Sequence, residues 1–475
     1  MHKKNPSAFA VLISVFFFWG FVAASNDILI PVFKKALNLQ NWQSQLINFA
    51  FYMAYTIGSL IYIGHATLTR KDLISRIGYQ NSIAVGLGIS ALGTLLFLPA
   101  AAYNSFGIMI AGLFVVGLGF SLQQTAANPF ALALGSPEKG SQRLSLAGGV
   151  NNIGTTIGPL ILTYAIFGSL GNGDTTASMD DVKQPYLYLG VAFILAAIVF
   201  MISAKRGKIK PGESAHERPP KQEAKEKRSI FSFPQLSLGM LGIFFYVGVE
   251  VATAGNIGEY LNATMGDQAS KTLAPVIALY WASLMIGRWG SAAAVFTASD
   301  NVRVVLKILL PYIAFGLFLG VTSIAGYDIQ PFLAYAFVIP LLIIADFLSK
   351  EDPAKQLLLF SLLGIIALIT GMLNEGMVSV YAFISVGLFC STLWPCIYTL
   401  ATRSLGEKTS QGSSLLIMMI MGGAIISLSQ GILADIPSVG IRYSFIIGVI
   451  CFSYLAFYAM KMKIHFKEKS HESIN

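Results

Sequence analysis

Glu138-Lys139-Gly140-Ser141-Gln142 and Glu407-Lys408-Thr409-Ser410-Gln411 are two copies of one pattern, and the distance between them decides how this chain is built. Each copy follows an apolar stretch that contains a proline, Pro129 or Pro395. Each precedes a run rich in small residues, Gly148-Gly149 and Gly154 in the first case and Gly422-Gly423 in the second. A five-residue match alone is weak, but the same order, flanks and loop position mark an internal repeat.

Outward from the first copy, apolar runs long enough to cross a hydrocarbon layer of about 30 Å fall at 8 to 32, 44 to 66, 77 to 100, 105 to 132, 143 to 169 and 186 to 204. A polar stretch from Lys205 to Arg228 follows, with nine Lys or Arg against four Glu and three prolines, Pro211, Pro219 and Pro220. It reads as a linker on the cytoplasmic side. Around the second copy the runs are 234 to 262, 272 to 297, 303 to 324, 330 to 348, 355 to 374, 376 to 402, 411 to 434 and 439 to 462. Six spans therefore face eight. The copies are 269 residues apart, from Glu138 to Glu407, whereas the halves start about 226 apart, at 8 and 234, so roughly 43 residues are extra. That is one helical hairpin, placed most naturally at 303 to 348, and an even insertion preserves orientation. The expectation is an all-α integral membrane protein of about fourteen spans: a six-helix half over 1–204, a linker over 205–230, a second half with the inserted hairpin over 231–465, and a tail over 466–475.

Composition agrees. The 475 residues are 55% hydrophobic and 12% charged, with a mean hydropathy of +0.67, more apolar surface than a water-soluble core could hide. The net charge of +9 invites a nucleic-acid partner, but Lys and Arg gather in short connections and at both ends, without aromatic residues interleaved for stacking bases. Arg70 and Lys71, the linker, Arg303 and Lys307, Lys350 and Lys355, Arg403 and Lys408, and the tail from Lys461 all fall on one side, taken as inside; Lys34 and Lys35 oppose the pattern. Both termini are then cytoplasmic. Residues 1 to 25 imitate a secretory signal, yet the apolar stretch continues to Val32 and further spans follow, so an uncleaved first span is expected. Cys390, Cys396 and Cys451 lie within apolar runs and suggest neither a disulfide framework nor a metal site.

An ionisable group inside a span costs at least about 2.5 kcal/mol and needs a partner or a solvated cavity. Asp27, beside Asn26 and before Pro31, and Glu250, in the seventh run, are the carboxylates that stand out. Either could accept from a sugar hydroxyl or carry a proton, and Asp27 could equally be an interfacial helix-end group. Gln123-Gln124-Thr125-Ala126-Ala127-Asn128-Pro129 sets amides into an apolar run, with Gln124 and Asn128 on one helix face and Gln123 turned about 100° away. Asn151, Asn152, Asn48, Tyr52 and Tyr55 add polar groups. Amides offer donors and acceptors without buried charge, which suits a ring of hydroxyls, although hydrogen bonds that glue helices together would use the same residues. Trp281, Trp394, Tyr246 and Tyr280 could stack on the apolar face of a sugar or simply pack. HExxH, CxxC and Gly-x-Ser-x-Gly are absent, as is a phosphate loop. Neither an enzyme, nor a cofactor, nor an ATP-driven pump is indicated.

Trp19-Gly20, Asn26-Asp27-Ile28-Leu29-Ile30-Pro31, Thr125-Ala126-Ala127-Asn128-Pro129-Phe130, Arg143-Leu144-Ser145-Leu146-Ala147 and Gly412-Ser413-Ser414 before Gly422-Gly423 resemble the fucose/galactose/glucose:proton symporters of the major facilitator superfamily. The resemblance covers nearly all the chain except the linker and the 303 to 348 insertion. It implies two helical domains around a central sugar site, alternating access, and proton coupling through carboxylates of the first and fourth spans. Asp27 matches the first. Where the family's fucose transporters have an acid directly before Thr-Ala-Ala-Asn-Pro, this chain has Gln124; a span-five glutamine is replaced by Gly148, while the neighbouring asparagine is kept as Asn151. Glutamine cannot release a proton, so Asp27, with Glu250, is left to carry coupling.

The expected function is import of a monosaccharide (a hexose, a fucose-type sugar or an N-acetylhexosamine) by a monomer in the bacterial inner membrane, with a proton ahead of sodium as coupling ion. An exporter of drugs or metabolites, or a sugar sensor without flux, is the alternative. The residues expected at the site are Asn26, Asp27, Tyr52, Gln124, Asn128, Asn151, Asn152, Glu250, Trp281 and Trp394.

Overall fold

A computed structural model describes residues 8–22, 41–69, 73–136, 139–167, 179–206, 229–265, 269–297, 299–434 and 436–472. Asn26, Asp27, Lys34, Lys35, Arg70, Lys71, Glu138 and the linker over 207–228 lie outside the described residues. The helices are α1 (Ala8–Val22), α2 (Asn41–Thr69), α3 (Tyr79–Ala102), α4 (Phe106–Ala133), α5 (Gly140–Phe167), α6 (Met179–Arg206), α7 (Pro234–Met265), α8 (Ala269–Ser291), α9 (Asp300–Ile324), α10 (Gln330–Ser349), α11 (Pro353–Leu373), α12 (Gly376–Thr402), α13 (Gly406–Ala434) and α14 (Gly440–Phe466). Ten of them, among the described residues, are long and apolar enough to cross a membrane, and no strand occurs there. In lipid only internally bonded backbone survives, and helices satisfy that condition segment by segment.

Local chemistry sets the ends. Ser105 Oγ accepts from the Ile108 amide to start α4. Asp352 Oδ1 accepts from the amides of Ala354 and Lys355, and Pro353, which has no N–H to lose, opens α11 behind it. Lys350 and Glu351, just before, both hold the left-handed backbone region, φ 52° and 61°, in the tight turn that joins α10 to α11.

The packing repeats. In the first half α2 and α3 both lie on α4, and α3 also lies on α6; in the second, α8 and α11 both lie on α12, and α11 also lies on α14. Matching these pairs leaves Asp300–Ile324 and Gln330–Ser349 without counterparts, so the inserted hairpin is α9 and α10, with α9 resting on α8. Charge counting had placed Lys307 with the interior loops. It is instead two turns inside α9 and only 5% exposed, because Asp346 of α10 meets it with Nζ 2.8 Å from Oδ2.

The chain forms two compact units. The first comprises Met1–Gly140, Ile153–Phe233 and Ser404–Met419; the second comprises Ser141–Asn152, Pro234–Arg403 and Ile420–Asn475. The two repeat copies are therefore exchanged in packing: the start of α5 belongs with the second half's helices and the start of α13 with the first half's. Within the first unit, Thr409–Met418 packs on α2 and α4, with Ser414 Oγ donating to the Ser59 carbonyl at 3.3 Å. Within the second, Gly422–Ala434 packs on α7 so closely that a Cβ on Gly422 would collide with the Phe244 carbonyl. Between these two pieces of α13, Met419–Met421 forms a 3-10 turn.

Candidate functional site

Two polar clusters stand inside the helices, one in each unit, and the second unit's grows from a proline. Pro395 in α12 has no N–H, so the carbonyl four residues earlier, Ser391, loses its helix partner, and the helix turns at Ser391 and Thr392. Arg288 of α8 takes that place, donating from Nε to the Ser391 carbonyl at 2.9 Å. The same guanidinium donates from Nη1 to the Gly148 carbonyl at 3.2 Å and to Asn152 Oδ1 at 2.5 Å, and from Nη2 to Tyr246 Oη at 3.3 Å. Tyr246 in turn donates to Glu250 Oε2, one turn further along α7. Arg288 and Glu250 are thus joined through a phenol in one buried network.

Other groups close around it. Tyr280 Oη donates to the Glu250 carbonyl at 2.8 Å, and Asn152 Nδ2 to the Trp281 carbonyl at 3.1 Å. The Trp394 ring lies 6.2 Å from that of Tyr246, and the Trp281 ring meets Tyr280 edge-on at 5.6 Å. Gly148 makes room for this arrangement, since a Cβ there would stand 3.1 Å from Arg288 Cδ and Nη1. Glu250, Asn152, Trp281 and Trp394 are therefore brought together, and Asn151 sits beside Asn152 on α5, half-buried.

The first unit's cluster is neutral in its described members. Trp19 Nε1 donates to Gln123 Oε1 at 2.8 Å, and Gln123 Nε2 donates to Ser90 Oγ at 2.9 Å, so this buried amide is consumed in tying α1, α3 and α4 together. Gln124, half-buried, donates to Tyr55 Oη at 3.1 Å. Asn128 is buried and spends a donor on the Gln124 carbonyl at 3.0 Å, within its own helix. Tyr52 is half-buried, its ring edge-on to Phe51.

Arg288 is the member that reading the sequence had overlooked. The signal was present: an arginine between Gly287 and Trp289 in an apolar run is an intramembrane charge, which by default marks a functional site. Together these groups offer a carboxylate able to hold or release a proton, a guanidinium, side-chain amides and indole faces, the chemistry that recognises a hydroxylated molecule.

The sequence profile of the Major Facilitator Superfamily matches residues 8–427. A glucose/galactose transporter of Brucella abortus biovar 1 (strain 9-941) is 33% identical over 460 residues, covering 96% of this chain and 94% of the relative. A putative glucose/galactose transporter of Helicobacter pylori (strain J99) is 30% identical, covering 96% and 97%. Among solved structures, a substituted form of the E. coli fucose:proton symporter FucP superposes with a TM-score of 0.71 at 23% identity, covering 97% of this chain and 99% of that one. The chain belongs to the major facilitator superfamily, in its fucose/galactose/glucose transporter family. It is a multi-pass membrane protein of a family of transporters rather than enzymes, and its relatives are sugar transporters.

Proposed function

We propose that this chain imports a monosaccharide across the bacterial inner membrane by ion symport with alternating access, with both termini in the cytoplasm. The observation that carries the reading is the Arg288–Tyr246–Glu250 network with Asn152, Trp281 and Trp394 around it. A drug-exporting cavity would favour greasy walls, whereas these side chains match hydroxyls and a sugar's apolar face. The names of the relatives support glucose or galactose as the substrate, with fucose next; the fucose:proton symporter of the same fold supports a proton ahead of sodium. Asn26, Asp27, Tyr52, Gln124, Asn128, Asn151, Asn152, Glu250, Trp281 and Trp394 are the groups assigned to sugar, and Asp27 and Glu250 those assigned to the ion. Arg288 joins them by holding Asn152 and Tyr246.

The test is uptake of radiolabelled glucose, galactose, fucose, mannose and N-acetylglucosamine into proteoliposomes across a pH and sodium series, with counterflow alongside. Uptake of at least one hexose that rises with an inward proton gradient is expected. Sugar binding without counterflow would make the protein a sensor, and flux only outward would make it an exporter. Asp27→Asn is expected to abolish accumulation against a gradient; a variant that accumulates sugar and moves protons like the parent removes Asp27 from the coupling role.

A further inference from the structure

The inserted hairpin carries charges in a place where lipid alone would reward leucine. Beyond the Lys307–Asp346 pair, Lys307 Nζ stands 3.4 Å from Glu351 Oε1, and Arg303 Nη1 donates to the same oxygen at 3.4 Å while its Nη2 holds Asp300 at 2.9 Å. Asp346 is 8% exposed, and removing such ions from water is unfavourable unless geometry and further hydrogen bonds compensate. The further bonds run inward, toward the transport helices. Gln356 Nε2 of α11 donates to Asp346 Oδ1 at 2.9 Å and to Ser291 Oγ of α8 at 3.3 Å. Cys396 Sγ of α12 donates to Gln356 Oε1 at 3.4 Å and lies 3.8 Å from Ser141 Oγ, at the start of α5. The remaining oxygen of Glu351, Oε2, accepts from Gln142 Nε2 at 3.4 Å.

Glu351 is thus held on one oxygen by two cations and presents the other to α5. Its backbone, with that of Lys350, is in the left-handed region that costs a non-glycine residue strain, and such strain persists where the surroundings over-determine it. Along α5, Gln142 precedes Asn152 by ten residues, about 15 Å of helical rise, and Gly148 and Asn152 are the two α5 groups that bond Arg288.

We propose that Glu351 is a positioning residue: clamped by Lys307 and Arg303 of the inserted hairpin, it fixes the Gln142 end of α5 and so sets how readily the segment bearing Asn151 and Asn152 is released during transport. The proposal rests on the transport reading above, but its first test needs no sugar. Ser145 lies on α5 between Gln142 and Asn152 and is fully buried, so a cysteine there reports release of this segment. In purified full-length S145C, the readout is the rate of maleimide labelling above that of the parent, whose cysteines Cys390, Cys396 and Cys451 are all buried.

Q142E sets a second carboxylate against Glu351 and is expected to speed labelling about tenfold. E351Q/Q142E exchanges donor and acceptor, keeps the carboxylate in the pair, and is expected to return labelling to within about twofold of S145C alone. A residue that merely supports folding would not be rescued by exchange. Equal labelling of Q142E and S145C alone overturns the proposal, as does an exchanged pair that labels like Q142E. With radiolabelled glucose or galactose in proteoliposomes, Q142E is expected to change the maximal rate while the half-saturation concentration stays within about twofold, since Glu351 touches no site residue. A changed half-saturation at unchanged maximal rate also overturns it. If neither sugar is transported while the labelling behaves as expected, the substrate assignment fails and the positioning role stands.

Discussion

The two interior clusters solve the burial of polarity differently. Among the described residues of α1, α3 and α4, the indole of Trp19, the amide of Gln123 and the hydroxyl of Ser90 satisfy one another with no net charge. Around α7, α8 and α12, Arg288 brings a full charge and Glu250 an ionisable carboxyl, linked through Tyr246, with two backbone carbonyls and Asn152 also on the guanidinium. A neutral chain loses one or two hydrogen bonds when a member is removed, whereas a charged hub leaves ions unmatched. Under the proposed function the contrast separates residues that only hold helices together from residues that also meet substrate. Gln123 is buried with both ends of its amide bonded, whereas its neighbour Gln124 is half-buried, bonds Tyr55, and is the one proposed for sugar.

The hub is the first place to break it. Arg288→Met leaves three buried oxygen acceptors and Tyr246 without their charged donor, and should lower stability in detergent by about 3–5 kcal/mol. A thermal midpoint equal to the parent's would show that the cluster is not an integrated network. Glu250→Gln keeps shape and the contact with Tyr246, so it should lose about 1 kcal/mol while abolishing ion-driven accumulation and leaving counterflow. Persisting accumulation would remove Glu250 from coupling. Gln123→Leu should destabilise by about 1–3 kcal/mol, because the buried Trp19 indole loses its acceptor while Ser90 keeps only its bond to the Val116 carbonyl, with no change in the half-saturation concentration of a transported sugar. Gln124→Ala, the mildest for the fold, should stay within about 1 kcal/mol in stability and raise half-saturation about tenfold. Exchange of these last two outcomes would reverse the roles assigned to the neighbouring glutamines.

Hydropathy and the repeat make the architecture legible in the sequence. The surplus of roughly 43 residues between the two Glu-Lys-x-Ser-Gln copies put an extra hairpin at 303 to 348, and the helices without counterparts are Asp300–Ile324 and Gln330–Ser349. The proximity of Glu250 to Asn152, Trp281 and Trp394 follows from how helices pack, which periodicity in a nearly all-apolar span does not reveal. Arg288, Lys307 and Asp346 escaped for a related reason. Counting charges by loop assigns a residue near a helix end to water, and whether it turns inward depends on partners from distant sequence, such as Ser391 or Gln356. The exchanged packing of Ser141–Asn152 and Ser404–Met419 was equally hidden, because sequence adjacency places each with its own half.

That exchange falls on two helices of unequal stiffness. α5 passes from Asn152 to Ile153 without a break, while α13 makes its change at Met419 and Ile420, inside the 3-10 turn. A mid-helix turn of this kind is a point of weak bending resistance. A twist applied at Ser141 therefore reaches Ile153 along continuous helix, whereas the same twist applied at Thr409 meets an elbow before Ala434. Of two symmetry-related members, one changes partners within unbroken helix and the other at a turn.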